Sequence, residues 1–531
     1  MKKIMKLGLI YGSVAVLTAG CGRASAETEA AVSNATETVT ETANETAAET
    51  VRTSDVQETE IVLSDEQITV DGSEAGTASS EAVYVANDIV YYEAGQGFTY
   101  GEGTEADEHT AEEADAHTVV HITKPGTYRI SGKLSAGQIA VDLGEDAEED
   151  PEAVVTLILD NADITCTVAP AVIFYEVYEC GSTENASMNV DTGAAGANVI
   201  IADGSVNNIN GSYVARIYKS YELNEAGTEV IDSKKLHKYD GAFYSKMSMN
   251  VYGGESGDGI LNIAAENEGL DSELHLTVNG GNINITAGND GINTNEDEVS
   301  VTTINGGTLN IVVDGSTGEG DGIDSNGWLV INGGTVIASA CASSMDAGID
   351  SDMGIHINGG TVIASGNMLD RISDSEQNFM VLSFAKRQSG GDTYTIKDEN
   401  GNVTAECTPV NDFACLIYSA PELSEGSYTV WAGDTQLSGA AGESSGGPGR
   451  GGMRPDDGGG SGRPEKPDDA GKPEDMKKPD GTERPDGGRR QDGSGNPGGQ
   501  KLSGQPEDME LSGEFQITEG GSYFRGVTSQ S

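Results

Sequence analysis

The feature that most constrains this chain is a repeat of about 26 residues in its central part. An Asn-Gly-Gly phrase preceded by Val or Ile recurs there, with its first glycine at Gly280, Gly306, Gly333 and Gly359. A second phrase, which is Gly-Ile-Asp-Ser in its fullest form, begins at Gly269, Gly291, Gly322 and Gly348. Self-similarity at a fixed period of roughly 20–50 residues is typical of solenoids, in which each unit stacks on its neighbours.

Each unit contains three short β-prone runs. In the third unit they are residues 322–326, 328–332 and 335–339, and the Gly-Gly pair lies between the last two, where a turn with positive φ suits glycine. The lack of a helical pattern of about 10–12 residues argues against leucine-rich and ankyrin repeats. Three strands per turn predict a parallel β-helix whose coils stack at the ~4.8 Å strand spacing.

This arrangement predicts which side chains align from coil to coil. The predicted internal columns are Ile292, Ile323 and Ile349; Ile304, Ile331 and Ile357; and Leu309, Val336 and Val362. The predicted ladder of side-chain amides is Asn279, Asn305, Asn332 and Asn358. Further β-branched segments between residues 119 and 366 have the right spacing for more coils, so we expect about nine or ten in all.

The first 21 residues have the features of a targeting segment. A basic start (Lys2, Lys3 and Lys6) precedes an apolar stretch too short to span a bilayer. The sequence Leu17-Thr18-Ala19-Gly20-Cys21 resembles a bacterial lipobox, although Thr18 stands where Leu is more usual. We therefore expect Cys21 to be lipidated and to anchor the protein at the cell surface; an ordinary signal peptide is the alternative.

Changes in composition divide the rest of the chain. Residues 22–80 are a Thr/Glu/Ala-rich stalk predicted to be disordered, in which residues 61–70 alternate weakly and are a candidate strand. Residues 81–370 form the predicted β-helix, and residues 371–438 a small antiparallel β-sheet that caps its last coil. Residues 439–508 are a Gly/Pro/Asp-rich segment of low complexity, and residues 509–531 supply a last strand of the cap.

Charge and cysteine content restrict the partners. The formal net charge is −57, which excludes nucleic acid as a partner and disfavours anionic lipid surfaces. Six cysteines are present, and no Cys-x-x-Cys motif suggests zinc or redox chemistry. Cys166 with Cys180, and Cys407 with Cys415, are close enough in sequence to form disulfides, which would leave Cys341 odd.

The candidate chemistry lies on the second repeated phrase. Strand alternation directs Ile323 inward and Asp324 outward, and the same positions in other units carry acids or amides. Between residues 247 and 370 there are 18 Asp and Glu and no Lys or Arg. Stacked carboxylates repel each other unless a cation neutralises them, and a hard cation that takes six to eight oxygens is calcium. The predicted ligands are Asp271, Asp290, Asn293, Asp321, Asp324, Asp346, Asp350 and Asp352. The alternative is a solvated acidic face whose Asp and Asn residues serve turns.

These motifs resemble a known family. The segment from Tyr244 to Gly254, the Asp-Gly-Ile and Asn-Gly-Gly phrases and a cap that opens near Phe379 are similar to the clostridial β-helix carbohydrate-binding family. The resemblance covers about residues 119–434 and the last strand. It implies an all-β fold, a right-handed parallel β-helix with a C-terminal cap, together with bound calcium and the binding of plant polysaccharide, acidic pectin-type chains included.

Two function classes compete on these grounds. A calcium-dependent pectate lyase needs a basic residue near the metal, and Lys246 is the only plausible one at the edge of the repeats. A binding module needs only calcium and a groove, so we expect a monomeric polysaccharide-binding protein with no catalytic residues. Neutral glucans could bind through Trp328 or the Tyr91–Tyr92 pair, His275 and His356 are expected to be structural, and an adhesin is a third alternative.

Overall fold

The chain folds almost entirely into short strands. The computed structural model describes residues 58–183, 185–442 and 510–530. In these ranges the helical segments are one α-helix, Ala111–Asp115, and one 3-10 turn, Ala147–Glu149. No helix in the described ranges is long and apolar enough to cross a membrane.

Most of the strands belong to three ladders in which each strand pairs in parallel with its counterpart one repeat earlier. The first ladder comprises Thr118–Ile122, Gly137–Asp142, Val172–Glu176, Gly241–Ser245, Glu268–Ser272, Ile292–Thr294 and Ile323–Ser325, with Val83–Ala86 as an antiparallel edge. The second comprises Glu58–Leu63, Gly126–Leu134, Val155–Thr165, Ala197–Ile201, Met249–Gly253, Leu276–Val278, Val301–Ile304, Trp328–Ile331 and Gly354–Ile357.

The third ladder uses the far halves of two of those long strands. Gly126–Leu134 and Val155–Thr165 continue into it and are followed by Val206–Gly211, Ile260–Ala265, Asn282–Ala287, Thr308–Val313, Thr335–Ser339 and Thr361–Gly366. The chain therefore visits the ladders in a repeating order. This is the order expected when each short strand pairs edge to edge with the neighbouring repeats and buries one face in a core shared by the ladders.

Register in the ladders follows the predicted columns. Ile292 is paired with Ile323, Ile304 with Ile331 and Leu309 with Val336, and these side chains are fully buried. Burying one such side chain stabilises the fold by about 1.5–3 kcal/mol, so the stacked columns are the main source of its stability.

Side-chain amides link the repeats outside the core. Asn305, Asn332 and Asn358 each donate from Nδ2 to Oδ1 of the asparagine one repeat earlier, at 2.9 Å in every case, which confirms the predicted ladder. A second ladder that the sequence analysis missed runs through Asn208, Asn262, Asn284 and Asn310.

The repeated glycine pairs form the turns between the second and third ladders. The second glycine of the pair has positive φ, as at Gly334, where φ is 79°. A Cβ at Gly334 would come within 2.8 Å of the backbone of Gly306 and Gly307, so both the conformation and the space require glycine.

A β-hairpin projects from the ladders. It consists of Val214–Leu223 and Val230–Tyr239, and the chain returns from it directly into strand Gly241–Ser245 of the first ladder. Two shorter strands near the start, Thr69–Val70 and Ser73–Glu74, pair antiparallel with each other.

The cap covers the end of the third ladder through strand Phe413–Ser419, which pairs antiparallel with Thr361–Gly366. The other cap strands are Phe379–Gln388, Tyr394–Lys397, Val403–Cys407, Gly426–Ala432, Thr435–Gly442, Phe515–Ile517 and Ser522–Ser529. The cap is not purely antiparallel as predicted, because Phe379–Gln388 pairs in parallel with Ser522–Ser529.

Other expectations also need correction. The folded part begins before the predicted boundary at residue 80, since Glu58–Leu63 pairs with Gly126–Leu134 and buries Ile61 and Leu63. The alternation of residues 61–70 carried that signal. All five described cysteines are free thiols, so neither of the two disulfides that the sequence left open is present. The lipobox with Cys21, most of the stalk and most of the Gly/Pro/Asp-rich segment lie outside the described residues.

Candidate functional site

The predicted ligand positions meet on the outward side of the first ladder. Asp271, Asn293 and Asp324 occupy the same register in successive strands, which places neighbouring side chains about 4.8 Å apart. Asp350 continues this row, because its N–H donates to the carbonyl of Ile323 at 2.7 Å. We call Asp271, Asn293, Asp324 and Asp350 the first acid row.

A second acid row lies just before the first in each repeat and consists of Glu268, Asp290, Asp321 and Asp346. Hydrogen bonds connect its members from repeat to repeat: Asp290 Oδ1 accepts from the N–H of Asp321 at 2.6 Å, and Asp346 Oδ2 accepts from the N–H of Gly320 at 2.6 Å. Asp321 Oδ1 accepts in the same way from the N–H of Ala347. These carboxylates thus use one oxygen to hold the backbone of a neighbouring repeat.

The rows are much less exposed than strand alternation indicates. The exposed fraction is 0% for Asp271, 5% for Glu268, 6% for Asn293 and 8% for Asp290, so these four are buried rather than solvated. Asp321, Asp324, Asp346 and Asp350 are half-buried, and Asp352, at the edge of the site, is exposed. The structure therefore brings seven of the eight predicted ligands into the two rows and leaves Asp352 beside them.

In the two acid rows, three buried oxygens have no hydrogen-bond partner among the described residues: Glu268 Oε2, Asp271 Oδ2 and Asn293 Oδ1. The orientation of Asn293 is fixed by its amide nitrogen, which donates to Asn295 Oδ1 at 3.1 Å. Asn295 Nδ2 in turn donates to Asp271 Oδ1 at 2.7 Å. A buried oxygen that accepts no hydrogen bond is costly, so these atoms indicate a missing proton or cation.

Burial and mutual repulsion shift the titration of the rows. Burial, followed by the charges of neighbouring carboxylates, raises the pKa of Glu268, Asp271, Asp321 and Asp324 well above the ordinary range. The same causes raise the pKa of Asp290 to about 7 and that of Asp350 to about 8. At neutral pH the rows must therefore either hold protons or bind positive charge.

Among the described residues, the positive charges beside the rows lie at their two ends. The hairpin brings Lys238 to within 2.6 Å of Asp240 and Lys235 to within 3.0 Å of Glu273, beside Asp271. At the other end the charge of Arg371 acts on Asp370. The sequence analysis missed the lysines because they lie outside the repeats. The charges that act most strongly on Asp324 and Asp321, in the middle, are those of other carboxylates.

The donor set fits a hard cation. Within the described ranges, no three His, Cys, Asp or Glu side chains are arranged as a ready-made metal site. The partnerless oxygens nevertheless include an amide oxygen, Asn293 Oδ1, beside carboxylates. Carboxylate and amide oxygens, completed by water or carbonyl oxygens, are the ligands calcium takes, and they suit no softer metal.

Other residues singled out in the sequence have ordinary roles. Lys246 forms an ion pair with Glu176. His356 Nδ1 lies 2.9 Å from the carbonyl of Asp374. Tyr92 is 3% exposed and packs edge-on against Tyr100, with ring centroids 5.1 Å apart, so Tyr91 and Tyr92 do not form one platform. Trp328 is half-buried in the second ladder.

Comparison with known proteins places the acid rows within a family-matched part of the chain. The family described as "Carbohydrate-binding domain-containing protein" matches residues 116–408, which contain both acid rows. A protein of that description from Acetivibrio thermocellus is 28% identical over 169 residues, which are 32% of this chain and 45% of the relative. The chain thus spans less than half the length of that relative.

A solved structure was also compared. It is the gadolinium derivative of a polysaccharide lyase-like protein from C. thermocellum, with 20% sequence identity and a TM-score of 0.32. The match covers 58% of this chain and 94% of that one.

Proposed function

Because this chain belongs to the carbohydrate-binding domain family, we propose that it is a cell-surface lipoprotein that binds acidic, pectin-like polysaccharide through calcium held by the two acid rows. The observation that carries the proposal is the buried set of partnerless oxygens on Glu268, Asp271 and Asn293. They lie within the part of the chain that the family matches, and they need positive charge.

The proposed architecture is a right-handed parallel β-helix. It is supported by the three parallel ladders, in which one repeat carries the chain through each ladder once before it returns to the first. In this architecture the first ladder is one continuous face, and the acid rows follow its long axis. A linear polymer is the kind of ligand that such a row accommodates.

Asp271, Asn293, Asp324 and Asp350 of the first row, with Glu268, Asp290, Asp321 and Asp346 of the second, would hold calcium. Calcium would supply the positive charge that the middle of the rows lacks, and its open coordination positions would accept uronate oxygens. This arrangement explains how a chain with a formal net charge of −57 can retain a polyanion. Asp352, which is exposed at the edge, is a candidate for contact with the outermost ion.

Binding without catalysis is the better-supported activity. Lys246, the expected base of a lyase, is paired with Glu176, and the lysines of the hairpin are paired with Glu273 and Asp240. An ammonium group that is held by a carboxylate has no lone pair with which to take the proton beside a uronate. The family name likewise describes binding.

The proposed location is the outer face of the cell membrane. It rests on the lipobox that ends at Cys21. The Thr/Glu/Ala-rich stretch after Cys21 would act as a spacer between the lipid and the folded part.

A retention experiment tests the proposed function. The purified chain without its first 21 residues would be mixed with immobilised polygalacturonate in calcium, and again in excess chelator. We expect retention in calcium and release in chelator, because the uronates and the acid rows repel each other when no cation lies between them.

Asp324→Asn removes one central charge while keeping its shape, and it should weaken retention. Asp297→Asn is the matched control, because Asp297 is an exposed carboxylate outside the rows. Equal retention with and without calcium would remove the bridging mechanism. No retention under either condition, in a chain shown to be folded, would remove the function.

A further inference from the structure

A second candidate site lies away from the acid rows, in a cleft between residues 89–100 and the hairpin. The cleft has a volume of about 260 Å³, and its walls include Tyr91, Tyr100, Ile217 and Leu236, with Glu93 and His237 as polar groups. We call it the tyrosine cleft. Aromatic and aliphatic walls with a few polar groups are typical of small-molecule sites, and this volume is at their lower end.

Hydrogen bonds hold the two walls together. The N–H of Tyr218 donates to the carbonyl of Tyr100 at 2.8 Å, and the N–H of Glu102 donates to the carbonyl of Arg216 at 2.9 Å. Between these bonds, a Cβ on Gly101 would lie 2.1 Å from the Arg216 carbonyl, so this close approach needs glycine. The cleft is therefore a built feature rather than a chance gap between loops.

The floor of the cleft is fixed, while its rim is open. Tyr92 is buried behind Tyr100 with their rings edge-on, and Ile217 is only 5% exposed. Leu236 is 50% exposed at the rim. Leu236 therefore gives the rim of the cleft an apolar edge beside the tyrosine rings.

The polar groups suit hydroxyl groups rather than charged ones. His237 Nδ1 lies 2.6 Å from the hydroxyl of Tyr239, which leaves Nε2 as the ring nitrogen available to a ligand. Burial lowers the pKa of His237, so the imidazole is neutral at pH 7. Glu93 is an exposed carboxylate, which accepts hydrogen bonds from hydroxyl groups and repels anions.

We infer that the tyrosine cleft binds a neutral sugar unit, with the apolar face of the pyranose ring against the tyrosine rings and its hydroxyl groups toward Glu93 and His237. A pyranose has one apolar C–H face and a polar edge, which matches a cleft with this division of surface. The inference rests on the proposed polysaccharide-binding function and adds a site that needs no calcium. One wall of the cleft, residues 89–100, lies outside the family-matched residues 116–408, and the hairpin that forms the other wall lies inside them.

Titration calorimetry with the soluble chain tests the inference. The probes are the hexaoses of β-1,4-linked glucose, mannose and xylose, each in excess chelator so that the acid rows cannot contribute through calcium. We expect at least one to bind. Tyr91→Ala should weaken that binding about fivefold, since one aromatic contact is worth on the order of 1 kcal/mol.

Two further variants make the result decisive. Leu236→Asp places a charge at the half-exposed rim without touching the core, so it should also weaken binding even where Tyr91→Ala fails to fold. Phe98→Ala is the matched control, because Phe98 is 55% exposed and does not line the cleft, and it should bind like the parent.

The two proposals fail in different ways. No binding of any of the three hexaoses, or binding that neither Tyr91→Ala nor Leu236→Asp weakens, overturns the tyrosine cleft. Calcium-dependent retention of polygalacturonate should be the same in Leu236→Asp and in the parent. If that retention is absent while a hexaose still binds, the acid-row function fails and the cleft stands.

Discussion

A carboxylate that is removed from water without a counter-charge destabilises the folded chain. This cost determines how a substitution in the acid rows changes the unfolding temperature. Burial and the charges of Asp290 and Asp352 raise the pKa of Asp324, so its charged form is disfavoured without a cation. Asp324→Asn removes that charge at constant shape. In chelator at pH 8 the variant should therefore unfold at a higher temperature than the parent.

Calcium should reverse the order of the two proteins. A ligand at a hundredfold excess over its Kd stabilises by about 2.7 kcal/mol, and the variant has one charged ligand fewer with which to gain this. Melting curves with and without calcium measure both effects, and Asp297→Asn should follow the parent in each. Identical responses of Asp324→Asn and the parent would mean that the acid rows bind no calcium.

His275 gives a separate test of burial. It is 1% exposed, and its Nδ1 accepts a hydrogen bond from the N–H of Val301 at 3.1 Å. Burial lowers its pKa to about 4, whereas an unfolded histidine titrates near 6.5. Between these values the unfolded chain binds a proton that the folded chain does not, so the stability contributed by neutral His275 is complete above pH 6.5 and falls as the pH decreases toward 4.

His275→Asn should remove this dependence while keeping an acceptor near the N–H of Val301. Relative to the variant, the parent should lose on the order of 3 kcal/mol of unfolding free energy between pH 7 and pH 4. Urea unfolding at the two pH values measures the change. A difference between the two proteins that stays constant with pH would show that His275 is not held neutral by folding.

Residue types and their spacing were enough to predict which side chains share a row, but not their burial. Alternation put Asp271 and Asn293 on the same side of successive strands, and the register agrees. It also implied solvent there, whereas both are buried. Their environment includes the hairpin, whose Lys235 reaches Glu273, and no local pattern reveals that a segment distant in sequence packs beside them.

At the scale of elements, amide ladders contribute to the spacing of the repeats. Asn284 donates to Asn262 at 2.9 Å and accepts from Asn310 at 3.0 Å, in partly buried positions. Asn284→Ala deletes both bonds and leaves an acceptor and a donor without their partners. With about 1 kcal/mol for each lost bond, we expect a loss of roughly 2 kcal/mol.

Asn332→Ala is the comparison, because Asn332 also makes two ladder bonds but is exposed, so water replaces them. Urea unfolding of both variants should give the larger loss for Asn284. The reverse order, or equal losses, would contradict a structural role for the partly buried ladder. The exposed ladder was predictable because its asparagines sit in a repeated phrase. The second ladder was missed, although each of its asparagines, Asn208, Asn262, Asn284 and Asn310, directly precedes an isoleucine in the sequence.

At the scale of the whole molecule, the charges are segregated rather than uniform. The formal net charge is −57, yet the lysines of the hairpin lie at one end of the acid rows and Arg371 at the other. In the middle, at Asp321 and Asp324, the charges that act most strongly are those of other carboxylates. The absence of Lys and Arg from the repeats could be predicted from the sequence. The positions of the lysines and of Arg371 could not, because they depend on how the hairpin and the start of the cap pack.

The same segregation leads to the last prediction, which concerns catalysis. Lyase action on polygalacturonate produces an unsaturated uronide that absorbs in the ultraviolet, so the reaction can be followed at alkaline pH with calcium. We expect no increase in absorbance, although the same sample retains the polymer. The lysines near the rows are engaged: Lys246 with Glu176, Lys235 with Glu273 and Lys238 with Asp240.

The variants Lys246→Ala and Lys235→Ala test whether a weak lyase activity depends on either lysine. Neither should alter the absorbance trace, since neither residue acts as a base in the bound complex. Absorbance that grows with protein concentration and disappears in one of these variants would identify that lysine as the base and make the protein a lyase. If the absorbance stays constant while calcium-dependent retention persists, the result supports a protein that uses its cations to hold the polymer. A calcium ion that acidifies the proton beside a uronate has no catalytic effect where no base is placed to remove that proton.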